Sequence, residues 1–222
     1  MRHVPLVVCI SIIVAACGGA EAPPSSPPTP GATATAQPNQ SPLGDGMTSA
    51  PVAFDDGEND LVDSDDGSRA DRNPHIDLTR VEASANGMEV VISMTMAAVI
   101  PPDVSASEQE LTYVVAIQAD RSDDLLYWAF VGNDDSGDWY GGYTEFATGL
   151  SFDGASFPGV VDVSGSTVTM RLPLEWVGSP TTLRMMAVTQ SADHATGDVH
   201  GEDQAPEGDQ SVPADGWLTL GA

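Results

Sequence analysis

Lysine is absent from these 222 residues, so all seven basic side chains are arginines, set against 33 acidic ones for a formal charge of −26. A surface so acidic repels phosphate backbones and anionic headgroups, which argues against nucleic acid as a partner. It suits divalent cations or a saline medium, and it also serves solubility alone. Cysteine is nearly as scarce, with only Cys9 and Cys17. No disulfide framework can staple the remainder, so a folded domain there depends on its own core or on bound metal. Long apolar runs are missing too, apart from Pro5 to Ala16, which is too short to span a bilayer. The chain has no G-x-S-x-G elbow, P-loop, dinucleotide fingerprint or catalytic cysteine. Its many carboxylates could form a glycosidase pair only in a cleft with a defined separation. The expectation is therefore a non-enzyme.

What is present begins with an export signal over residues 1–16: Arg2 gives a positive start, an apolar run follows, and small residues lead to Cys17. Val14-Ala15-Ala16-Cys17-Gly18 resembles the lipobox of bacterial lipoproteins, in which cleavage precedes the cysteine and that cysteine is acylated. The resemblance implies lipidation of Cys17 and a lipid bilayer as partner, in an extracytoplasmic place on a bacterial cell envelope. Each buried methylene of such an anchor contributes about 0.8 kcal/mol, so several chains together give lasting attachment. Residues 17–50, rich in Pro, Ser, Thr and Ala, cannot bury enough apolar surface to offset their ordering entropy. They are expected to be a disordered, partly extended linker. Residues 51–222 remain, enough for one domain with a sizeable core.

From residue 75 on, short segments rich in β-branched and aromatic residues alternate with Gly, Asn, Asp and Pro, which predicts strands. "IDLTRVEAS" and "MEVVISMTMA" form a hairpin about Asn86-Gly87, with Met88, Val90, Ile92, Met94 and Met96 inward. "LTYVVAIQA" aligns Leu111, Tyr113, Val115 and Ile117 on one face and Val114 and Ala116 on the other, as in a central strand covered on both sides. A second hairpin turns at Ser164-Gly165, "PLEWVGSP" allows only one short turn, and "WLTL" at the end reads as an edge strand. The fold expected is all-β, a two-sheet antiparallel β-sandwich of eight to ten strands.

The acidic opening "FDDGENDLVDSDDG", then "HIDLTRVEAS", "MEVVISMTMA", "TYVVAIQAD" and "GSTVTMRLPLEWVG", resemble in layout the DOMON-like β-sandwich related to family 9 carbohydrate-binding modules. The resemblance covers about residues 52 to 222. It implies a non-catalytic module on an exported protein, with sugar, haem or calcium as ligand classes. Where relatives often end the third strand in D-T-D, this chain has Gln118-Ala119-Asp120, so only Asp120 matches and a metal role there is in doubt.

Three groups of residues are candidates for a site. Calcium takes six to eight oxygen ligands, which Asp-rich, Gly-containing loops supply. Asp63, Asp65 and Gly67 echo a helical-hand loop, but Arg72 stands near the place of its closing glutamate. A different site, where Asp55, Asp56, Glu58 and Asp60 meet Asp77 or Asp203, remains open, against solvated and mutually repelling carboxylates. His194, Asp198, His200 and Asp203 lack any standard zinc spacing and read as a mobile acidic loop. "WYGGY", with Trp139, Tyr140 and Tyr143, together with Trp128, offers rings to a glycan beside two glycines that let a ligand approach the backbone, or else packs across strands. The function expected is a membrane-anchored carbohydrate-binding module with a calcium site. The alternatives are a structural or protein-interaction module and a haem or solute carrier.

Overall fold

The computed structural model describes residues 47–58, 60–62, 73–101, 109–120, 126–133, 138–193, 196, 198–206 and 217–221. The expectations attached to the signal, Cys17, the linker up to residue 46, residues 63–67, Arg72 and His194 lie outside them. Twelve strands are present among the described residues: β1 (Thr48–Asp55), β2 (Leu78–Asn86), β3 (Glu89–Met96), β4 (Gln109–Ala119), β5 (Leu126–Asn133), β6 (Trp139–Glu145), β7 (Leu150–Asp153), β8 (Val160–Ser164), β9 (Thr167–Pro173), β10 (Leu183–Asp193), β11 (Val199–Ala205) and β12 (Leu218–Leu220). They form a β-sandwich. One sheet runs β1-β2-β3-β9-β8 and the other β11-β10-β4-β5-β6-β7, with β12 also on β10. Every pairing between named strands is antiparallel.

The period of two explains the core. Val90, Ile92, Met94 and Met96 of β3 and Val168, Met170 and Leu172 of β9 face Tyr113, Val115 and Ile117 of β4 and Leu183, Met185 and Ala187 of β10 in one buried cluster. A fully buried side chain of this size contributes about 1.5–3 kcal/mol, so this layer supplies most of the stabilisation that a disulfide-free chain needs. The opposite faces of β2, β3 and β9 carry Arg80, Glu82, Ser93, Thr95, Thr169 and Arg171 and are at least partly exposed. In contrast, β4 is covered on both sides, as its sequence indicates. Val114 and Ala116 join Met186, Val188 and Trp217 in a second, smaller cluster on the outer face of the larger sheet.

Both hairpins form where expected. At the first, Gly87 takes φ 91°, and Asn86 Oδ1 accepts the backbone N–H groups of Met88 and Glu89 at 3.0 Å. Met88 corrects the expectation: it lies in the turn and is 74 % exposed, because the strand's inward alternation starts only at Val90. The "PLEWVGSP" turn is one round of 3₁₀ helix, Leu174–Val177. Two strands exceed expectation. β1 starts at Thr48, ahead of residue 51, while β11 occupies part of the supposed acidic loop. The inward positions of β11 are Gly201, Asp203 and Ala205, so it has no apolar alternation to announce it.

Candidate functional site

The acidic opening crosses from one sheet to the other. Asp56 N–H donates to Thr79 O at 3.0 Å, continuing the β1–β2 ladder, and Val62 exchanges two 2.9 Å bonds with Glu202 of β11. Between these ties lie an exposed turn, Asp60 and the buried Leu61. Residues 73–77 are fixed from the other side: Tyr113 Oη donates to His75 O at 2.9 Å, Thr189 Oγ1 donates to Ile76 O, and Ala97 N–H donates to Asp77 O at 2.8 Å. Asp203 reaches across from β11 and accepts Leu78 N–H on Oδ2 at 2.6 Å and Gln204 N–H on Oδ1 at 2.8 Å.

These ties bring carboxylate oxygens of Asp60, Asp77 and Asp203 within 4.8 Å of one another. Asp77 is 2 % and Asp203 5 % exposed, while Asp60 Oδ1 is buried without a hydrogen-bond partner. Burial, and then the charges of Asp56 and Asp60, push the Asp203 carboxyl up to about 7, against the pull of its two backbone donors. A set of this kind either holds a proton or neutralises itself with a cation.

Three residues named from the sequence do not join this set. Asp55 sits at an outward position of β1 and pairs with Arg80, which also bonds Glu82 at 3.1 Å. Glu58 lies in the exposed turn. Asp56 contributes through its charge on Asp203. Asp198 and His200 are exposed, whereas Asp203 faces inward, so these three do not converge on a zinc site. Asp120 braces the backbone where β10 begins. At φ 50°, its Oδ1 accepts Thr181 N–H, Thr181 Oγ1–H and Thr182 N–H at 2.7, 2.9 and 3.0 Å. Despite some desolvation, these bonds hold its carboxyl below the usual range.

The four aromatic candidates divide between the faces of the larger sheet, since Trp139 and Tyr143 are four residues apart on β6 and Tyr140 points the other way. Tyr143 is 2 % exposed in the main core and donates to Trp176 O at 2.6 Å, and Trp139 packs 5.8 Å from the buried Tyr113 ring. Trp128 and Tyr140 belong to the outer face. The Trp128 ring meets Phe146 at 4.9 Å and Tyr140 meets Phe130 at 6.0 Å, both edge to face. The two glycines are not open to a ligand, which corrects the expectation from sequence. A Cβ on Gly142 would lie 1.9 Å from the Phe130 ring, and one on Gly141 would lie 2.5 Å from Phe157. The protein's own rings fill the space that the glycines leave.

Trp217 is not among the residues that the sequence singles out. It packs, 4 % exposed, with Trp128, Phe130, Val114 and Val188, and the indole nitrogens of Trp128 and Trp217 are buried without partners. The signal that points to this cluster is the apolar content of both faces of β4 and β10. No known protein family, curated protein or solved structure matches the chain.

Proposed function

We propose that the chain is a non-catalytic binding module, held outside the cytoplasm on a bacterial envelope membrane through acylated Cys17. Its sandwich takes calcium at Asp60, Asp77 and Asp203 and offers the outer face of the larger sheet, around Trp128 and Tyr140, to a carbohydrate. The observation that carries this reading is the convergence of three carboxylates from the β1–β2 connection, the start of β2 and β11. Two of them are buried, and their mutual repulsion is a cost that a divalent cation offsets. Calcium suits the set because its ligands are oxygens at about 2.3–2.6 Å and its geometry is flexible, so backbone carbonyls and water complete the shell.

Thermal unfolding of the full chain with millimolar calcium or with chelator tests this reading. Calcium at a hundredfold its Kd adds about 2.7 kcal/mol, which for a domain of this size raises Tm by about 5–10 °C. An unchanged Tm would remove the site. For the sugar, the informative substitution is Trp128→Ala, because Trp139 is packed against the core ring Tyr113. Binding to a glycan panel should be lost in that variant while its fold persists. Cys17→Ser should move the protein to the soluble fraction, and continued acyl labelling of that variant would rule out the anchor.

A protein-interaction module is the second reading, favoured by the apolar make-up of the outer face, where Leu126, Phe130, Val114 and Val188 surround Trp128. A wild-type chain that binds no glycan in a broad panel would select it, and a Soret band on adding haem would select a haem carrier.

A further inference from the structure

We infer that the free edge of β8 docks an extended, positively charged segment of another protein, adding a strand to the smaller sheet. This interaction is separate from the cation and ligand sites proposed above. An exposed strand edge is a template for pairing, and folded proteins blunt their edges with prolines, bulges, short strands or covering segments. The other edges among the described residues carry such devices. β1 contains Pro51 and shifts register between Ser49 and Val52. β11 is bridged on its free side by Val62. β7 has four residues and β12 three.

β8 has none of these, and the charge of Asp162 is its one blunting device. Its five residues pair in unbroken register with β9, from Val160↔Arg171 to Ser164↔Thr167, and no described strand lies on its other side. The pair flanking a two-residue hairpin turn is hydrogen-bonded, and bonded and non-bonded pairs then alternate. Residues 160, 162 and 164 therefore bond β9, while Val161 and Val163 turn their N–H and C=O groups to the open side. Val160 is 60 % exposed, Asp162 and Ser164 are exposed, and Val161 and Val163 lean on the core.

The identity of the occupant follows from Asp162. A symmetric antiparallel pair of two β8 strands, centred on the middle residue, sets Asp162 against Asp162 and joins two chains of charge −26, so a second copy is disfavoured. A strand with Lys or Arg opposite Asp162, flanked by apolar residues opposite Val161 and Val163, meets both the charge and the pleat. Charge complementarity also speeds the encounter with so acidic a chain. The mode is strand addition, in which main-chain bonds supply affinity and alternate side chains supply selectivity.

The test uses the full chain in detergent micelles and two end-capped probes, Thr-Val-Lys-Val-Thr and Thr-Val-Glu-Val-Thr, with amide exchange followed by NMR. The lysine peptide should slow exchange at Val161 and Val163 and bind at least about threefold tighter than the glutamate peptide, the scale of one cross-strand charge pair. Asp162→Lys, at an exposed position, should invert the preference while leaving Tm within a degree or two, as expected for a surface change. Absence of protection at Val161 and Val163 with either peptide, protection at another edge instead, or an unchanged preference in Asp162→Lys would overturn the inference.

Discussion

Asp203 carries the plainest consequence at the scale of single residues. Its carboxyl rises from the ordinary 3.8 to about 7 in the folded chain, so between those values the folded state holds a proton that the unfolded state has released. Stability in chelator should therefore fall as pH rises from about 4 to about 7 and level off above, by at most about 1.4 kcal/mol per pH unit for one group. Asp203→Asn should flatten that slope, as should calcium in the wild type. Parallel curves of Tm against pH for wild type and variant would refute the assignment. Gly142 is the second case. Any Cβ there meets the Phe130 ring, so Gly142→Ala should destabilise by about 1–3 kcal/mol, read as a lower urea midpoint. Phe130→Ala in the same chain should recover part of that loss, since it vacates the contested space.

Among whole elements, legibility follows hydrophobic alternation. β3 and β9 can be read because each inward position is a large apolar residue, and β4 and β10 because both of their faces are apolar. β11 escapes because its inward residues are Gly201, Asp203 and Ala205, and β1 because Pro51 and a bulge break its pattern. The site behaves likewise. The density of acids points to Asp60, Asp77 and Asp203, but only the fold shows that Asp55 turns outward to Arg80. The division of Trp139 and Tyr143 from Tyr140 is present in the period of two, whereas the rings covering the glycines depend on strand register: Phe130 lies directly opposite Gly142 on β5, and Phe157 reaches Gly141 from beyond β7. β12 gives the test at this scale. Leu218 and Leu220 are buried against β10, as is Trp217 just before them, and each such side chain is worth about 1.5–3 kcal/mol. Ending the chain after residue 216 should therefore cost several kcal/mol and largely abolish the cooperative melt, whereas removing only Gly221 and Ala222 should not. A truncated chain with an unchanged melt would show that β12 is dispensable.

For the molecule as a whole, two electrostatic effects must be separated. A chain of −26 without lysine repels itself, and raising salt from about 0.1 M to 1 M shortens the screening length from about 10 Å to 3 Å. Tm in chelator should consequently rise with sodium chloride. Calcium at a site acts differently: a few millimolar should add an increment that sodium chloride of equal ionic strength does not reproduce. The same ion would link the connection after β1, the start of β2 and β11, and so join the two sheets. An anomalous difference map from crystals grown in calcium tests this most directly. A single strong peak bonded at about 2.3–2.6 Å to carboxylate oxygens of Asp60, Asp77 and Asp203 is the predicted result. A map without a peak there, at calcium concentrations well above millimolar, would contradict it.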